Sequence, residues 1–173
     1  MTIRLLTTDD ATTYQALRLK ALQTNPESYL SALENEQTKP TDSFAWEIRS
    51  ATASPVSGYY GLFSKNQLIG YAQFDQVQLP KQQHTAYLYN LYVDPNHRGQ
   101  GLATRLVDHL TKLAKQHQIE RLFITCNRKN TPAQQFYTKL GFTQYGLKEK
   151  SVKWQGEYDD EVEMVKKLWG YCL

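Results

Sequence analysis

A strand, a glycine-containing loop and an amphipathic helix follow one another between His84 and Ala114, and this unit constrains the fold most. The strand, T-A-Y-L-Y-N-L-Y-V at residues 85 to 93, has apolar and aromatic residues on both faces, which is typical of an interior strand. A turn at residues 94 to 96 ends it. The helix after the loop has an apolar stripe at helical spacing, made of Leu102, Leu106, Leu110 and Leu113 with Ala103, Val107 and Ala114 beside it.

Further strands and helices are predicted on both sides of this unit. The 173 residues contain no repeat and no Pro- or Gly-rich linker, so we expect one domain over residues 1 to 173. A short strand begins the chain, and residues 59–64 and 68–74 form a hairpin. Helices are predicted from Thr8 or Asp9 to Asn25-Pro26, from Thr41-Asp42-Ser43 onward, and from Thr131-Pro132 to Leu140-Gly141. Two more strands are predicted, at residues 119–126 and 156–168.

Charge and composition argue against several classes of partner. Twenty Lys and Arg stand against 17 Asp and Glu, and no five consecutive residues are basic, so we expect no nucleic acid. No window of 18 apolar residues occurs, which predicts no membrane span and a cytoplasmic location. The two cysteines indicate a reducing compartment, with Cys126 a buried thiol and Cys172 in a frayed terminus. The four histidines lack metal-ligand spacing, so no metal is expected.

The loop Arg98-Gly99-Gln100-Gly101-Leu102-Ala103 is the most informative feature for function. Its glycines let the main chain approach a ligand, and the first helical turn directs unpaired N–H groups outward. No Asp or Glu between Gly99 and Thr104 occupies those donors, so the site suits an anion, best a pyrophosphate. Neither a P-loop nor a complete dinucleotide fingerprint is present. The alternative is that the glycines only form a tight turn.

This loop resembles the coenzyme loop of the GNAT family of N-acetyltransferases, which reads Q/R-x-x-G-x-G/A between a strand and a helix. A second stretch, from Asn130 to Phe142, is similar to the family element N-x-x-A-x-x-F/L-Y-x-K-x-G-F. The resemblance is strongest over residues 87 to 142. It implies an α+β (mixed α/β) fold whose central mixed, mostly antiparallel sheet has about six to seven strands and is flanked by about four helices.

The resemblance also implies roles for single residues. Tyr137 would protonate the departing thiolate as general acid, and Asn90 would position a proton relay. The Val93 N–H is a candidate oxyanion donor on a bulged strand at residues 91 to 93. The alternative role of Asn130 is a helix N-cap, which it could serve simultaneously, and the alternative for Tyr137 is a packed aromatic. The implied coenzyme contacts are Leu91, Tyr92, Val93, Arg98, Gly99, Gln100, Gly101, Leu102, Ala103, Thr104, Asn130 and Tyr137.

The general base is not apparent in the sequence. Residues 84 to 93 contain no acidic side chain, although some relatives place a Glu there. Asn90, or Tyr89 through water, could position a relay, and Glu34, Glu36 and Asp160 are carboxylate candidates. An amine of low pKa would need the least help, because more of it is neutral at pH 7.

The resemblance implies an acetyl-CoA-dependent N-acetyltransferase that transfers the acetyl group directly to a primary amine of a small molecule or a protein. The alternative is a non-catalytic acyl-CoA-binding or sensing domain with the same fold. We expect acetyl-CoA as cosubstrate, an amine acceptor as partner, and a monomer or homodimer. Residues 25–42 and 76–83 are predicted to shape the acceptor site.

Overall fold

The computed structural model describes residues 1 to 169, so Cys172 lies outside the described residues. The strands are β1 (Thr2–Leu5), β2 (Gly58–Ser64), β3 (Gln67–Gln76), β4 (Thr85–Val93), β5 (Arg121–Asn127), β6 (Thr143–Trp154) and β7 (Glu157–Lys167). The helices are α1 (Ala11–Thr24), α2 (Leu33–Glu36), α3 (Thr41–Ser50), α4 (Leu102–Gln116) and α5 (Thr131–Lys139). Short 3-10 turns lie at Thr8–Asp10, Pro26–Ser28 and Pro95–His97.

The strands form one mixed sheet in the order β1-β2-β3-β4-β5-β7-β6. Only the β4–β5 pair is parallel, so the predicted mixed, mostly antiparallel sheet is confirmed. Five helices flank it in the described part of the chain, where about four were expected, because α2 is a single turn of four residues.

Strand β6 was not predicted from the sequence, where no element was expected between Gly141 and residue 156. Ten of its twelve residues are exposed, because β6 is an outer strand that pairs with β7 alone. Such a strand has no apolar face to mark it in the sequence.

Helices cover both faces of the sheet. On one face α4 buries Leu106, Val107 and Leu110 against strand residues such as Phe74 and Leu88. On the other face, α1 and α3 pack on a cluster that includes the buried tyrosines Tyr59, Tyr71 and Tyr92. Successive strand residues point to opposite faces, so one strand serves both layers.

The sheet opens between β4 and β5. Their pairing covers only Thr85 to Tyr87 on β4, opposite Arg121 to Phe123 on β5. Beyond this point β4 continues to Val93 along β3, and β5 continues to Asn127 along β7. The two strands therefore diverge and leave a wedge-shaped opening in the centre of the sheet.

Candidate active site

A cavity of about 1150 Å³ occupies the opening between β4 and β5. Residues 87 to 91 of β4, residues 125 to 127 of β5, and Tyr137 of α5 line it. Residues 27 to 31, which follow α1, line it from the side of α1 and α3. Within the described chain residues 76 to 83 contribute nothing to this lining, so of the two segments predicted to shape the acceptor site only residues 25–42 reach the cavity.

Asn90 lies at a bulge in β4. Tyr71 pairs with Tyr92 and Gln73 with Tyr89, so β4 has one residue more than β3 between these pairs. Asn90 takes up the extra length with φ +54, a conformation that Asn tolerates better than most residues. Its Nδ2 donates to Gln73 Oε1 (2.9 Å). The predicted bulged strand at residues 91 to 93 thus begins one residue earlier, at Asn90.

The backbone after the bulge faces the opening. Asp94 N–H donates to Ile69 O (2.8 Å), and since ladder bonds alternate along an antiparallel strand, the Val93 N–H points away from β3 toward the side of β5. The Tyr92 side chain is instead part of the core, and its hydroxyl meets Thr24 Oγ1 at 3.0 Å. Tyr92 could therefore offer a ligand only its main chain.

The glycine loop has the predicted shape. Gly99 and Gly101 have φ values of +77 and +70, and a Cβ added at either would meet no atom within 4 Å. Arg105 N–H makes the first helical bond, to Gly101 O (3.0 Å), so the N–H groups of Leu102, Ala103 and Thr104 precede the helical ladder. The loop thus presents an open surface with main-chain donors.

Arg98 faces the protein and not this open surface. Its Nε donates to Val93 O (2.9 Å), and one of its terminal nitrogens donates to Asn25 Oδ1 (2.7 Å). Its main-chain N–H donates to Pro95 O (3.2 Å). Arg98 therefore fixes the loop against β4 and the end of α1, and the donors left for a ligand belong to residues 99 to 104.

Asn130 connects two sides of the site. Its Oδ1 accepts from Ala133 N–H (3.1 Å), so the N-cap predicted as its alternative role is confirmed. Its Nδ2 donates to Ser28 Oγ (3.1 Å), a residue of the segment after α1. Asn130 also lines the cavity, so the cap does not remove it from the site.

Tyr137 lies in the cavity wall with its ring packed edge-on against Phe136 and Phe142. None of the described residues forms a hydrogen bond with its hydroxyl. Burial raises the pKa of Tyr137, and the nearby Cys126 thiol adds to the effect. The phenol is therefore protonated at neutral pH.

The carboxylates around the cavity differ from those expected. Of the three candidate bases only Glu36 lines it, where it is 6% exposed and forms an ion pair with Lys39 (3.1 Å). Glu34 is exposed and lies outside the lining. Asp160 also lies outside it, and both of its oxygens accept hydrogen bonds, from Lys150 N–H and Arg128.

Two further carboxylates line the cavity, those of Glu47 and Glu161. They were not predicted, because nothing in their local sequence marks them.

Arg18 was also missed, although the sequence carries a signal for it. It lies on the buried face of α1 with Tyr14, Leu17, Ala21 and Leu22. Those four positions follow helical spacing, and residue 18 falls in the middle of their stripe, where an apolar side chain is expected. Arg18 is 5% exposed and lines the cavity.

Comparisons with known proteins identify the family. The model of the acetyltransferase (GNAT) family matches residues 18 to 142, which include the bulge, the glycine loop and Tyr137. The chain belongs to the GNAT acetyltransferase family. It is accordingly an acetyl-CoA-dependent N-acetyltransferase, and the enzyme class predicted from the sequence is confirmed.

Individual relatives agree with this assignment. The L-amino acid N-acetyltransferase AaaT of Escherichia coli (strain K12) is 25% identical over 154 residues, which are 88% of this chain and 91% of AaaT. An N-acetyltransferase from Staphylococcus aureus Mu50 superimposes with a TM-score of 0.82 at 18% identity, covering 97% of this chain and 98% of that one. The structure of yncA from Salmonella typhimurium with its cofactor acetyl-CoA gives 0.78 at 22% identity, covering 100% and 96%. The two structural matches establish the GNAT fold.

Cys126 of this GNAT acetyltransferase is unsuited to carry the acetyl group. Burial raises the pKa of its thiol to about 11, and the neighbouring carboxylate of Glu161 contributes. A thiol with this pKa is almost entirely protonated at pH 7, and the thiolate is the nucleophilic form.

Residues 1 to 169 contain no cluster of three or more His, Cys, Asp or Glu side chains that could hold a metal ion. Over the same residues, every helix is too short or too polar to cross a membrane.

Proposed function

We propose that this enzyme transfers the acetyl group of acetyl-CoA directly to a primary amine held in the β4–β5 cavity. One observation carries the proposal: the bulge residue Asn90 and the phenol of Tyr137 line the same cavity, from opposite sides of the opening. The thioester would lie between them. An amine on the α1–α3 side would then attack the carbonyl carbon, with the Val93 N–H as the oxyanion donor.

The coenzyme would extend along β4 to the glycine loop. The main-chain N–H groups of residues 99 to 104 and the positive end of α4 suit its diphosphate. The open space at Gly99 and Gly101 supports a close approach of the diphosphate. The backbone of residues 91 to 93 would accompany the pantetheine arm, and Asn130 would donate to that arm.

The leaving thiolate needs a proton when the C–S bond breaks. Tyr137 is protonated at neutral pH and its hydroxyl has no protein partner among the described residues, so it would supply that proton as general acid. The raised pKa of Cys126 supports direct attack by the amine over an acetyl-cysteine intermediate. The proton of the amine would pass through Asn90 or Tyr89 and water to a cavity carboxylate, for which Glu36, Glu47 and Glu161 are in place.

Replacement of Tyr137 by Phe tests this mechanism. We expect kcat to fall by about one to three orders of magnitude, since one general acid is lost. The Kd of coenzyme A should change little. Tyr158→Phe is a matched control, because Tyr158 is exposed and lies outside the cavity lining. An unchanged kcat at saturating substrates would contradict the role of Tyr137.

Several parts of the proposal rest on the sequence alone. The following points stay predictions: the cytoplasmic location, the absence of metal, nucleic acid and membrane partners, the single domain over residues 1 to 173, and the choice between monomer and homodimer.

A further inference from the structure

Arg18 is a buried cation that no carboxylate of the described residues contacts. Its two terminal nitrogens donate to neutral oxygens, Asn90 Oδ1 (3.3 Å) and Ser31 Oγ (3.2 Å). Its Nε has no hydrogen-bond partner among the described residues, and its guanidinium stacks on the ring of Tyr29 at 4.9 Å. No carboxylate of the described chain lies within 4 Å of it.

The nearest opposing charge is already engaged elsewhere. The Glu47 carboxylate interacts with Arg18 at longer range, and its Oε1 accepts from the hydroxyls of Tyr14 (2.9 Å) and Tyr59 (2.5 Å). The two other cations that line the cavity each have a direct partner: Lys39 contacts Glu36 (3.1 Å), and Lys148 contacts Glu163 (3.2 Å). Arg18 thus differs from every other cation of this cavity.

Burying a guanidinium without a counter-ion is unfavourable in free energy. A charge taken out of water is normally compensated by a counter-ion and by saturated hydrogen bonds, and Arg18 has only neutral acceptors and one nitrogen, Nε, without a hydrogen-bond partner among the described residues. The planar donor fork of arginine matches the geometry of a carboxylate, which it can bind through two hydrogen bonds. A ligand that brings a carboxylate into the cavity would therefore gain more from Arg18 than from any other lining group.

The position of Arg18 limits how far that carboxylate can be from the reacting amine. Arg18 contacts the side chain of Asn90, the bulge residue beside which the thioester would lie. A carboxylate bound by Arg18 would then lie close to the acetyl carbonyl. In an α-amino acid a single carbon atom separates the amine from the carboxylate, which suits this short distance.

We propose that the acceptor is an α-amino acid whose carboxylate is bound by Arg18, with the amine directed at the thioester beside Asn90. This inference rests on the proposed function. It disfavours two kinds of acceptor left open by the sequence: the N-terminus of a protein has an amide in place of the carboxylate, and a small-molecule amine without a carboxylate has no anion for Arg18.

The test compares matched pairs of acceptors that differ only in the carboxylate. A panel of free α-amino acids and their α-amides is assayed with acetyl-CoA. We expect kcat/KM to be about 10- to 100-fold higher for the acid of a productive pair, as for a charge-assisted hydrogen bond. The amide has the less basic amine, which is neutral more often, so a slower reaction of the amide cannot come from protonation.

Variants then assign the preference to Arg18. In Arg18→Gln we expect the acid-to-amide ratio of kcat/KM to fall below about threefold, whatever the absolute turnover of the amide. Arg18→Lys keeps the charge without the planar fork and should give an intermediate ratio. Arg49→Gln is the control, since Arg49 is exposed on α3 and lies outside the cavity lining. The thermal midpoint and the Kd of coenzyme A verify that each variant is folded.

The outcomes separate this inference from the proposed function. Equal use of acids and amides by the unsubstituted enzyme would overturn the inference without any variant, and the acetyl transfer itself would stand. An undiminished acid preference in folded Arg18→Gln would also overturn it. If the enzyme bound coenzyme A but acetylated no amine, the proposed function would fail, and the inference with it.

Discussion

Four charged side chains in the described residues are 9% exposed or less. Their contacts show which of these charges are compensated by another side chain and which is not. The three carboxylates each form an ion pair with a basic side chain at the surface. Such pairs tie elements together and leave no charge uncompensated. Arg18 has no such pair, which is the residue-level reason to assign it to a ligand. The three pairs are Arg4–Asp10, Lys20–Asp94 and Lys39–Glu36.

Asp10 is expected to stabilise the fold in a pH-dependent manner. It accepts two hydrogen bonds from Arg4 (2.8 Å each) and one from Thr7 N–H (2.8 Å), which hold the pKa of its carboxyl below the ordinary value. A lowered folded-state pKa gives stability that is present above the unfolded pKa near 4 and is lost as the pH falls through the folded pKa. Asp10→Asn should therefore cost about 1 to 3 kcal/mol at pH 7 and much less at pH 3.

Urea unfolding of both proteins at the two pH values measures this difference. Asp9→Asn is the matched control, because the neighbouring Asp9 is exposed and has no ion pair among those found in the described residues. An Asp10→Asn cost that did not change between pH 7 and pH 3 would mean that the ionised carboxylate is not its source.

At the scale of elements, regular patterns were predictable and local exceptions were not. The apolar stripe of α4 matches its buried face, and the Thr131-Pro132 signal marks the start of α5, although the residue that caps the helix is Asn130. The existence of a bulge in β4 came from the family resemblance alone, and its position was one residue late, since periodicity does not show where a strand gains a residue. Strand β6 was missed because an exposed edge strand lacks the apolar face on which such predictions depend.

The glycine loop permits a sharp test of the diphosphate site. Gly101→Asp puts a carboxylate in open space on the loop, so we expect it to leave the fold intact but to repel the diphosphate and abolish coenzyme binding in calorimetry. Gly101→Asn has nearly the same shape and the same positive φ without the charge, and should retain much more affinity.

A second control shows whether a loss of coenzyme binding comes from backbone strain at a positive φ or from the position of the new charge. Gly156 also has a positive φ and open space around it, but it lies in the β6–β7 turn, away from the cavity. Gly156→Asp should bind coenzyme A as the unsubstituted enzyme does. Equal affinities for all three variants would place the diphosphate elsewhere.

At the scale of the whole molecule, the site depends on contacts that no local sequence pattern encodes. Arg18 and Asn90 are 72 positions apart, and Ser28 and Asn130 are 102 apart. Arg18 reaches Asn90 from within α1, and Ser28 reaches Asn130 because the segment after α1 lies against the opening between β4 and β5. The two motifs of the sequence therefore led to the proposed coenzyme side, whereas on the acceptor side the sequence predicted a contribution from residues 25–42 but not the contacts that Arg18 makes.

The opening also divides the sheet into two parts joined by few strand contacts, and the coenzyme is expected to bridge them. The glycine loop and β4 belong to one part, and Asn130 and Tyr137 belong to the other. A ligand that binds only the folded state stabilises it by about 2.7 kcal/mol at 100 times its Kd. For a chain of this size, coenzyme A at that concentration should raise the thermal midpoint by roughly 5 to 10 °C.

Differential scanning fluorimetry with coenzyme A, and with pantetheine, which lacks the diphosphate together with the 3′-phosphoadenosine, measures this effect. Pantetheine at the same concentration should give a much smaller shift, since it leaves the loop donors of residues 99 to 104 without their anion. In Gly101→Asn the shift should persist, and in Gly101→Asp it should vanish because the diphosphate contact is lost. If pantetheine stabilised the enzyme as strongly as coenzyme A does, binding would come from the cavity alone, and the glycine loop would not hold a diphosphate.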